Sequence, residues 1–518
     1  MSLLVPLFVA LPLLGAAFTL LLSRHRRMQI VVSITTLSAT FVLAAVMLVV
    51  VDGGTPLAVS VGGWPLPFGI VLYVDRLAAL LVAVSSIVLL AVLLFSVGQG
   101  AADGDEDTPV SIFHPTYLIL AAGIFDSFIA GDLFNLYVGF EILLVASYVL
   151  ITLGSTKERI RTGTVYIVVS LVSSIIFLSA IAMVYAALGT VNMAQIAERM
   201  GEIDPGVQMM LHVLLLLGFA VKAAIFPLSF WLPDSYPTAP APVTAVFAGL
   251  LTKVGVYAII RTETQLFPDS NLDAVLMIAA IATMIIGILG AVAQAELKRI
   301  LSFTLVSHVG YMIFGLAIHT SEAVGATVYY MVHHIVVQTT LFLAVGLIER
   351  FSGSTSILRV KGLVAGAPLI AALYFIPALN LGGLPPFSGF IGKYSLFEAA
   401  ASVGTPLMWA SIAAGVVTSL LTLYALMRAW NLSFWREQDE AGEGDSRYQH
   451  LESAPAAQTQ TERRASPRIM TGATIGMVAV TLALTVFAGP IYDVCERIGS
   501  SLLQPISLVE LEGVEQGT

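Results

Sequence analysis

The sequence has little cysteine and little charge. Its single cysteine, Cys495, excludes an internal disulfide and cannot supply the several thiolates that an iron–sulfur cluster needs. Only 11% of the 518 residues are charged, whereas soluble domains have about 25%. The net charge of −9 argues against nucleic acid as a partner. No Gly-rich phosphate loop follows a strand and no nucleophile elbow is present, so the sequence predicts neither bond-making catalysis nor a cofactor.

Apolar residues take the place of charge. Hydrophobic residues make up 58% of the chain, and the mean hydropathy is +0.92. An apolar run of about 20 residues is long enough to cross the hydrocarbon core of a bilayer as a helix. The pattern therefore predicts an all-α polytopic membrane protein with about fourteen spans. These spans lie near 3–22, 30–51, 73–97, 113–131, 133–153, 163–188, 208–230, 240–261, 272–293, 299–319, 323–348, 367–401, 407–434 and 470–493.

The positive charges are unevenly shared between the two sides of this membrane protein. Loops that follow odd-numbered spans hold sixteen of the 24 lysines and arginines, whereas the opposite side has only Arg199, Arg261 and Arg497. Cytoplasmic loops carry the excess of Lys and Arg. We therefore expect a bacterial inner-membrane protein with both termini outside. Residues 435–469 are poor in apolar side chains and are expected to form a flexible cytoplasmic linker.

Proline interrupts two predicted spans, helices 7 and 12, at 226–242 and at 380–393. Because proline removes a backbone donor and clashes with the preceding turn, each helix is expected to break there. A simple kink is the alternative for either helix alone, but matched breaks are typical of inverted-repeat transporters. We therefore expect two inverted five-helix repeats, with three helices before them and one after. The predicted units are 1–112, 113–262, 272–434, the linker 435–469, and 470–518 with helix 14 and the tail.

Three of the six lysines, Lys222, Lys253 and Lys393, lie inside apolar spans. A lysine at the centre of a span costs about 2.5 to 3.5 kcal/mol on insertion scales, so it should face the bundle interior or water. Snorkelling to an interface is the alternative. Glu141 is the one acidic residue well inside a predicted span. A carboxylate near an ammonium forms either a proton switch or a structural salt bridge, and we expect Glu141 and Lys222 to form a switch.

Three histidines also lie inside predicted spans. His308 has Ser307 and Tyr311 nearby in sequence, and the adjacent His333 and His334 share one helix. Histidine titrates near physiological pH and can relay protons, although a buried histidine with satisfied hydrogen bonds is the alternative. A metal site is not indicated, because the sequence has no His-Glu-x-x-His motif and no cysteine cluster.

Several long strings resemble the antiporter-like subunits shared by respiratory complex I and the multisubunit Mrp sodium/proton antiporters, and most of all the D-type Mrp subunits. The strings are GDLFNLYVGFEILLVASYVL (131–150), FPLSFWLPDSYPTAPAPVTAVFAGLLTKVGVYAIIR (226–261), SHVGYM (307–312) and GGLPPFSGFIGKY (382–394). The resemblance implies fourteen helices, two inverted five-helix repeats and a central hydrophilic axis. The family's proton-translocating residues then fall on Glu141, Lys222, Lys253, His333 or His334, and Lys393.

One departure concerns Gln338, where the family often has a lysine after the histidine pair. Because its carboxamide is neutral, the charge of that lysine is missing between Lys253 and Lys393. We therefore expect the relay there to depend on histidine and water.

The resemblance implies a member of a hetero-oligomeric antiporter that moves protons in exchange for sodium. Its expected partners are the other subunits, protons, sodium and the lipid bilayer. The alternatives are a proton-pumping subunit of a complex I-like oxidoreductase or membrane-bound hydrogenase, and a structural subunit without a conduction path. The sequence shows neither a sodium site nor which of Na⁺, K⁺ and Li⁺ is transported.

Overall fold

The computed structural model describes residues 1–66, 68–100, 110–154, 156–268, 272–436 and 467–504. Most of the predicted linker and the C-terminal tail lie outside these ranges. The described chain is a helical bundle with one short hairpin, in which β1 (Leu57–Ser60) pairs antiparallel with β2 (Val71–Val74).

The bundle is built from α-helices joined mostly by short loops. In chain order they are α1 Leu7–Leu21, α2 Arg26–Asp52, α3 Arg76–Gln99, α4 Val110–Ile129, α5 Leu133–Thr152, α6 Lys157–Leu188, α7 Met193–Met200, α8 Pro205–Ala223, α9 Leu232–Ser235, α10 Ala241–Val246, α11 Thr252–Arg261, α12 Asp273–Val292, α13 Leu297–Leu316, α14 Ser321–Ser352, α15 Leu363–Gly366, α16 Pro368–Gly382, α17 Ser388–Val403, α18 Pro406–Trp430, α19 Arg468–Val486 and α20 Ala488–Leu502.

The number of membrane spans agrees with the sequence prediction. Within the described residues, thirteen helical segments are long and apolar enough to cross a membrane. The remaining predicted span, 367–401, consists of the shorter helices α16 and α17. The polytopic all-α fold is therefore confirmed.

Both proline-containing stretches break their helices, as predicted. The first break follows α8, where Ala224 adopts a left-handed conformation and the Phe226–Pro227 peptide is cis. The second break separates α16 from α17, where Gly383 has a φ of 82° and the Pro385–Pro386 peptide is cis. Glycine adopts this left-handed φ without the steric cost of a Cβ. Each break interrupts the run of helical hydrogen bonds inside the bundle.

One predicted boundary is wrong. The span expected to end at 261 continues to Leu266, because π-helical turns at Phe247–Leu251 and Thr262–Leu266 extend it on either side of α11. Arg261, which the sequence placed in an outer loop, is therefore buried and forms a bidentate ion pair with Asp75, both N···O distances being 2.7 Å. Hydropathy alone ends a span at its first charges, whereas a matched buried pair allows it to continue.

The centre of the bundle is α14, which packs against α3, α10, α13, α16, α17, α19 and α20. Every residue of α14 from Ala323 to Ile348 is buried, and so is the whole run from Ala241 to Leu266. Helices such as α2 and α6 instead expose apolar side chains on one side, including Val49 and Ile175. Apolar exposure of this kind fits a surface that faces lipid. The polar residues inside α14 are thus held far from that surface.

Candidate functional site

The first part of the candidate site lies around Lys222, near the end of α8. Lys222 is 8% exposed, and its ammonium donates to the hydroxyl of Ser174, at 3.0 Å, and to the carbonyl of Ser170, at 3.4 Å. The ammonium also lies 5.7 Å from the ring centre of Phe140. An ammonium near the C-terminus of its own helix is favoured by the helix dipole. Lys222 is thus solvated by hydroxyl, carbonyl and ring groups.

Glu141, on α5, does not form a salt bridge with Lys222. It is close enough to act on Lys222 electrostatically, but its Oε1 atom is buried and has no hydrogen-bond partner. The sequence analysis expected a pair, and the structure shows the two groups close but not in contact. A buried oxygen without a partner costs about 1 to 3 kcal/mol, so a water molecule or another donor that reaches this oxygen is stabilised there.

A small cavity adjoins Lys222, and a large one lies beyond it. The small cavity, about 20 Å³, is lined by Lys222, Ser170 and Trp231 among others and has room for one water molecule. The large cavity, about 730 Å³, is lined by charged residues that include Arg159 and Lys298. Trp231 borders both cavities, with its indole nitrogen donating to the carbonyl of Val221. Trp231 is thus the one residue that the linings of the two cavities share.

Lys253 lies at the start of α11 and is completely buried. Its ammonium donates to the carbonyl of Ala248, at 2.7 Å, in the π-helical turn before it. Within the described residues, no carboxylate oxygen lies within 4 Å of the nitrogen of Lys222, Lys253 or Lys393. None of these three lysines therefore forms a direct ion pair.

The histidines join α13 to α14. His308 hydrogen-bonds through Nδ1 with the hydroxyl of Tyr330, at 2.8 Å, and through Nε2 with that of Thr422, at 3.2 Å. The ring of His334 lies 5.3 Å from the ring of His308, and neither of its nitrogens has a hydrogen-bond partner. A buried imidazole with two unpaired nitrogens is costly unless a water molecule reaches it. His334 and His308 therefore form a buried polar contact between α13 and α14.

His333 faces a different part of the bundle from His334. Its Nδ1 hydrogen-bonds with the hydroxyl of Ser388, at 2.9 Å, and Ser388 donates in turn to the side-chain oxygen of Asn380. Ser388 begins α17 and Asn380 lies near the end of α16, so His333 contacts both sides of the second break. The sequence did not decide between the two histidines, and the structure gives them separate surroundings.

Lys393, on α17, reaches back to the other half of its broken helix. Its ammonium donates to the carbonyls of Leu381, at 2.9 Å, and Gly382, at 3.3 Å, and to the hydroxyl of Ser419. The nitrogen also lies 5.2 Å from the ring centre of Tyr311. The last carbonyls of a helix lack intrahelical partners and carry partial negative charge, so a cation is stabilised there.

Gln338 is completely buried between these groups. Its amide nitrogen donates to the carbonyl of Leu301, at 2.7 Å, and its Oε1 has no partner. The carboxamide cannot take up a proton near neutral pH, so at this position the axis has a fixed dipole.

The sequence of this chain matches those of known membrane proteins. A family model described as "NADH:quinone oxidoreductase/Mrp antiporter, TM" matches residues 130–422, which hold all seven predicted site residues. The chain belongs to this antiporter family. A D-type subunit of a Na(+)/H(+) antiporter of Alkalihalophilus pseudofirmus is 36% identical to it over 516 residues, which cover 98% of this chain and 99% of that relative. The family resemblance predicted from the sequence is therefore confirmed.

Solved structures place the fold within the same family. A chain of the Mrp complex from a Dietzia species is 30% identical, with a TM-score of 0.88 over 99% of this chain and 100% of that one. A chain of the membrane-bound sulfane sulfur reductase, an archaeal respiratory membrane complex, is 27% identical, with a TM-score of 0.86 over the same shares. The antiporter-family fold thus occurs both in Mrp complexes and in a respiratory complex.

Two buried charge pairs of this family member were not predicted from the sequence. Glu263 is 1% exposed and approaches His212, so Glu141 is not the one acidic residue inside a span. The other is the pair of Asp75 and Arg261 described above. A signal was available, since no glycine or proline follows Arg261 until Pro268 and the helix could continue.

Proposed function

We propose that this chain is the proton-translocating subunit of a multisubunit cation (Na⁺)/proton antiporter. The similarity to a D-type Na(+)/H(+) antiporter subunit extends over nearly the whole of both chains, and an Mrp complex contains the same fold. The observation that carries the proposal is the set of three buried lysines, Lys222, Lys253 and Lys393, each of which donates to backbone carbonyls, and two of them also to a serine hydroxyl, instead of to a carboxylate. Such lysines can exchange protons at a moderate free-energy cost.

The proposed path begins at the large cavity and passes Trp231 to Lys222. A proton on Glu141 weakens the attraction between its carboxylate and Lys222, which favours proton loss from the lysine. The charge then acts on Lys253, and from there on the histidine pair His308 and His334. Because like charges repel in a low dielectric, protonation of one member favours proton release from the next.

The second half of the path leads from the histidines to Lys393. His333 adds a contact with the second break through Ser388, and Gln338 lies beside the path without titrating. Protons are thus transferred between side chains, and only bonds to hydrogen form or break. The chain acts as a secondary transporter subunit and not as an enzyme.

We assign the repeats and the orientation on the same basis. The two breaks lie in the fourth helix of the units 113–262 and 272–434, which supports two inverted five-helix repeats. The excess of Lys and Arg beside the large cavity supports a cytoplasmic position for it, with both termini outside in a bacterial inner membrane. The lipid bilayer and the other subunits of the complex are the expected partners, with sodium as the exchanged cation.

The test uses the assembled complex in membrane vesicles. Lys222→Ala and Glu141→Gln should each abolish most sodium/proton antiport, since one removes the proton-binding amine and the other keeps the shape of the side chain without its charge. Lys157→Ala is the matched control, because Lys157 is exposed at the start of α6. Wild-type antiport in both Lys222→Ala and Glu141→Gln, with equal amounts of complex, would refute the proposal.

The second candidate is a proton pump within a redox complex. It is favoured by the likeness to a chain of an archaeal respiratory membrane complex. The antiporter relative is more similar in sequence over the same extent, so we prefer the first candidate. Purification of the native complex decides between them, because flavin or iron–sulfur proteins in it would establish the redox enzyme.

A further inference from the structure

A second group of titratable residues, two of them buried, lies at the end of the bundle opposite the large cavity. It consists of His212 in the first half of α8, Glu263 just after α11, Asp273 at the start of α12 and His319 just after α13. α8 and α12 begin at this end of the bundle, whereas α11 and α13 finish there. The path proposed above uses none of these four residues.

The buried part of the group is a histidine–glutamate pair. Nε2 of His212 lies 2.5 Å from Oε1 of Glu263, and the side chains are only 2% and 1% exposed. The imidazole ring stacks on Phe267, with the ring centres 4.3 Å apart and an angle of 9° between the planes. Histidine and glutamate at this distance are joined by a short hydrogen bond, and burial separates this bond from the medium.

The exposed part of the group connects this pair with the surface. Nδ1 of His319 lies 3.8 Å from Oδ1 of Asp273, and their side chains are 21% and 44% exposed. Asp273 interacts electrostatically with both Glu263 and His212. The four residues therefore form a series that runs from the aqueous edge of the bundle to a fully buried pair.

The backbone around Glu263 links the pair to the lysine axis. Glu263 lies in the π-helical turn Thr262–Leu266, which continues α11. Lys253 is in the first turn of α11, ten residues earlier, or about 15 Å along the helix at a rise of about 1.5 Å per residue. Single π-helical turns occur frequently at functional sites, since they displace side chains from the regular helical face.

We infer that His212 and Glu263 form a proton-exchange site, through which Lys253, in the middle of the axis, exchanges protons with the medium by way of Asp273 and His319. This inference rests on the proposed function. It gives the path a second aqueous end, opposite the large cavity. Protonated His212 with ionised Glu263 carries one exchangeable proton and no net charge. Transfer of that proton to Asp273 or His319 leaves a neutral imidazole and a carboxylate, with a net charge of −1.

The helices that pack against the Thr262–Leu266 turn carry other charged groups, which also affect the pH dependence of the proposed exchange site. α8 carries Lys222 besides His212, α11 carries Lys253 and Arg261, and α7 carries Glu198 and Arg199. Arg261 is neutralised by Asp75, and Arg199 donates to the carbonyl of Leu188.

The experiment measures antiport by the whole complex in proteoliposomes, with the pH varied on the side of the four residues. We expect Glu263→Gln and His212→Asn to lower the rate about 100-fold, the lower end of the range for loss of a positioned proton-transfer group. Glu263→Asp should retain antiport with a shifted pH profile. Glu202→Gln is the matched control, because it makes the same chemical change at an exposed carboxylate at the same end of the bundle; it should leave the pH profile unchanged.

The outcomes separate this inference from the function on which it rests. Wild-type rate and pH profile in Glu263→Gln, with Lys222→Ala inactive, would overturn the exchange site alone. Wild-type antiport in both Lys222→Ala and Glu141→Gln would overturn the proposed function itself. Failure of both Glu263→Gln and His212→Asn to assemble, with an unshifted profile in Glu263→Asp, would make the pair structural and also overturn the exchange site.

Discussion

Replacement of Lys253 by methionine should separate stability from transport. Lys253 is completely buried, and its ammonium makes a single hydrogen bond, to the carbonyl of Ala248. Methionine is also unbranched and flexible, so it can fill the space of the aliphatic stem without a charge. The variant should therefore fold at least as well as the wild type and lose antiport.

The expected change in stability is the difference between the cost of burying the lysine and the contribution of its hydrogen bond. A lysine at the centre of a span costs about 2.5 to 3.5 kcal/mol relative to insertion of an uncharged segment. A hydrogen bond from a charged group contributes about 1.5 to 3 kcal/mol, and this is lost with the ammonium. Taking the middle of each range, we expect Lys253→Met to be about 1 kcal/mol more stable than the wild type.

Two measurements on the same preparation check this prediction. Thermal denaturation of the detergent-solubilised complex should show an equal or higher midpoint for Lys253→Met, and vesicles should show little antiport. Lys253→Ala is the comparison variant, because it also removes the packing of the stem and should denature at a lower temperature. A large fall in midpoint for Lys253→Met would mean that the lysine stabilises the fold. Undiminished antiport would mean that protons do not pass through it.

Two further predictions concern the neighbourhood of His308. Gln338→Lys should retain antiport with a changed pH of half-maximal activity, because the new ammonium can donate to the Leu301 carbonyl in place of the carboxamide; a pH titration of antiport checks this, and an unchanged profile would contradict it. Tyr330→Phe should reduce antiport several-fold, since it removes the hydroxyl that hydrogen-bonds with His308, whereas Tyr329→Phe, whose hydroxyl lies outside the axis at the Leu484 carbonyl, should not. Equal antiport rates in the two tyrosine variants would argue against a role for that hydroxyl.

The sequence predicted the helical fold and the two breaks because the causes are local. A proline removes a donor wherever it stands, and a long apolar run has few alternatives to a spanning helix. Lys222, Lys253 and Lys393 could be selected from their cost in an apolar environment alone. Their partners could not, because Ser174 and Ser419 are brought to them by other helices.

The missed residues show where local reasoning fails. A hydropathy pattern ends a span at Arg261, yet Asp75 is 186 positions away in sequence and supplies the charge that allows the helix to continue. Glu263 was passed over for the same reason, since His212 reaches it from a separate helix. The expected contact between Glu141 and Lys222 was inferred from charge alone, and the serines of α6 competed for the ammonium. Tertiary partners thus decide what a charged residue in a span does.

The contact between Lys393 and the end of α16 also gives this protein a mechanical property. The ammonium holds carbonyls from across the break, so the two halves of one interrupted helix are joined by a bond whose strength depends on a proton. When the lysine is neutral, the attraction between its charge and those dipoles is gone, and the joint becomes weaker. The protonation of Lys393 therefore determines how firmly α16 and α17 are held together.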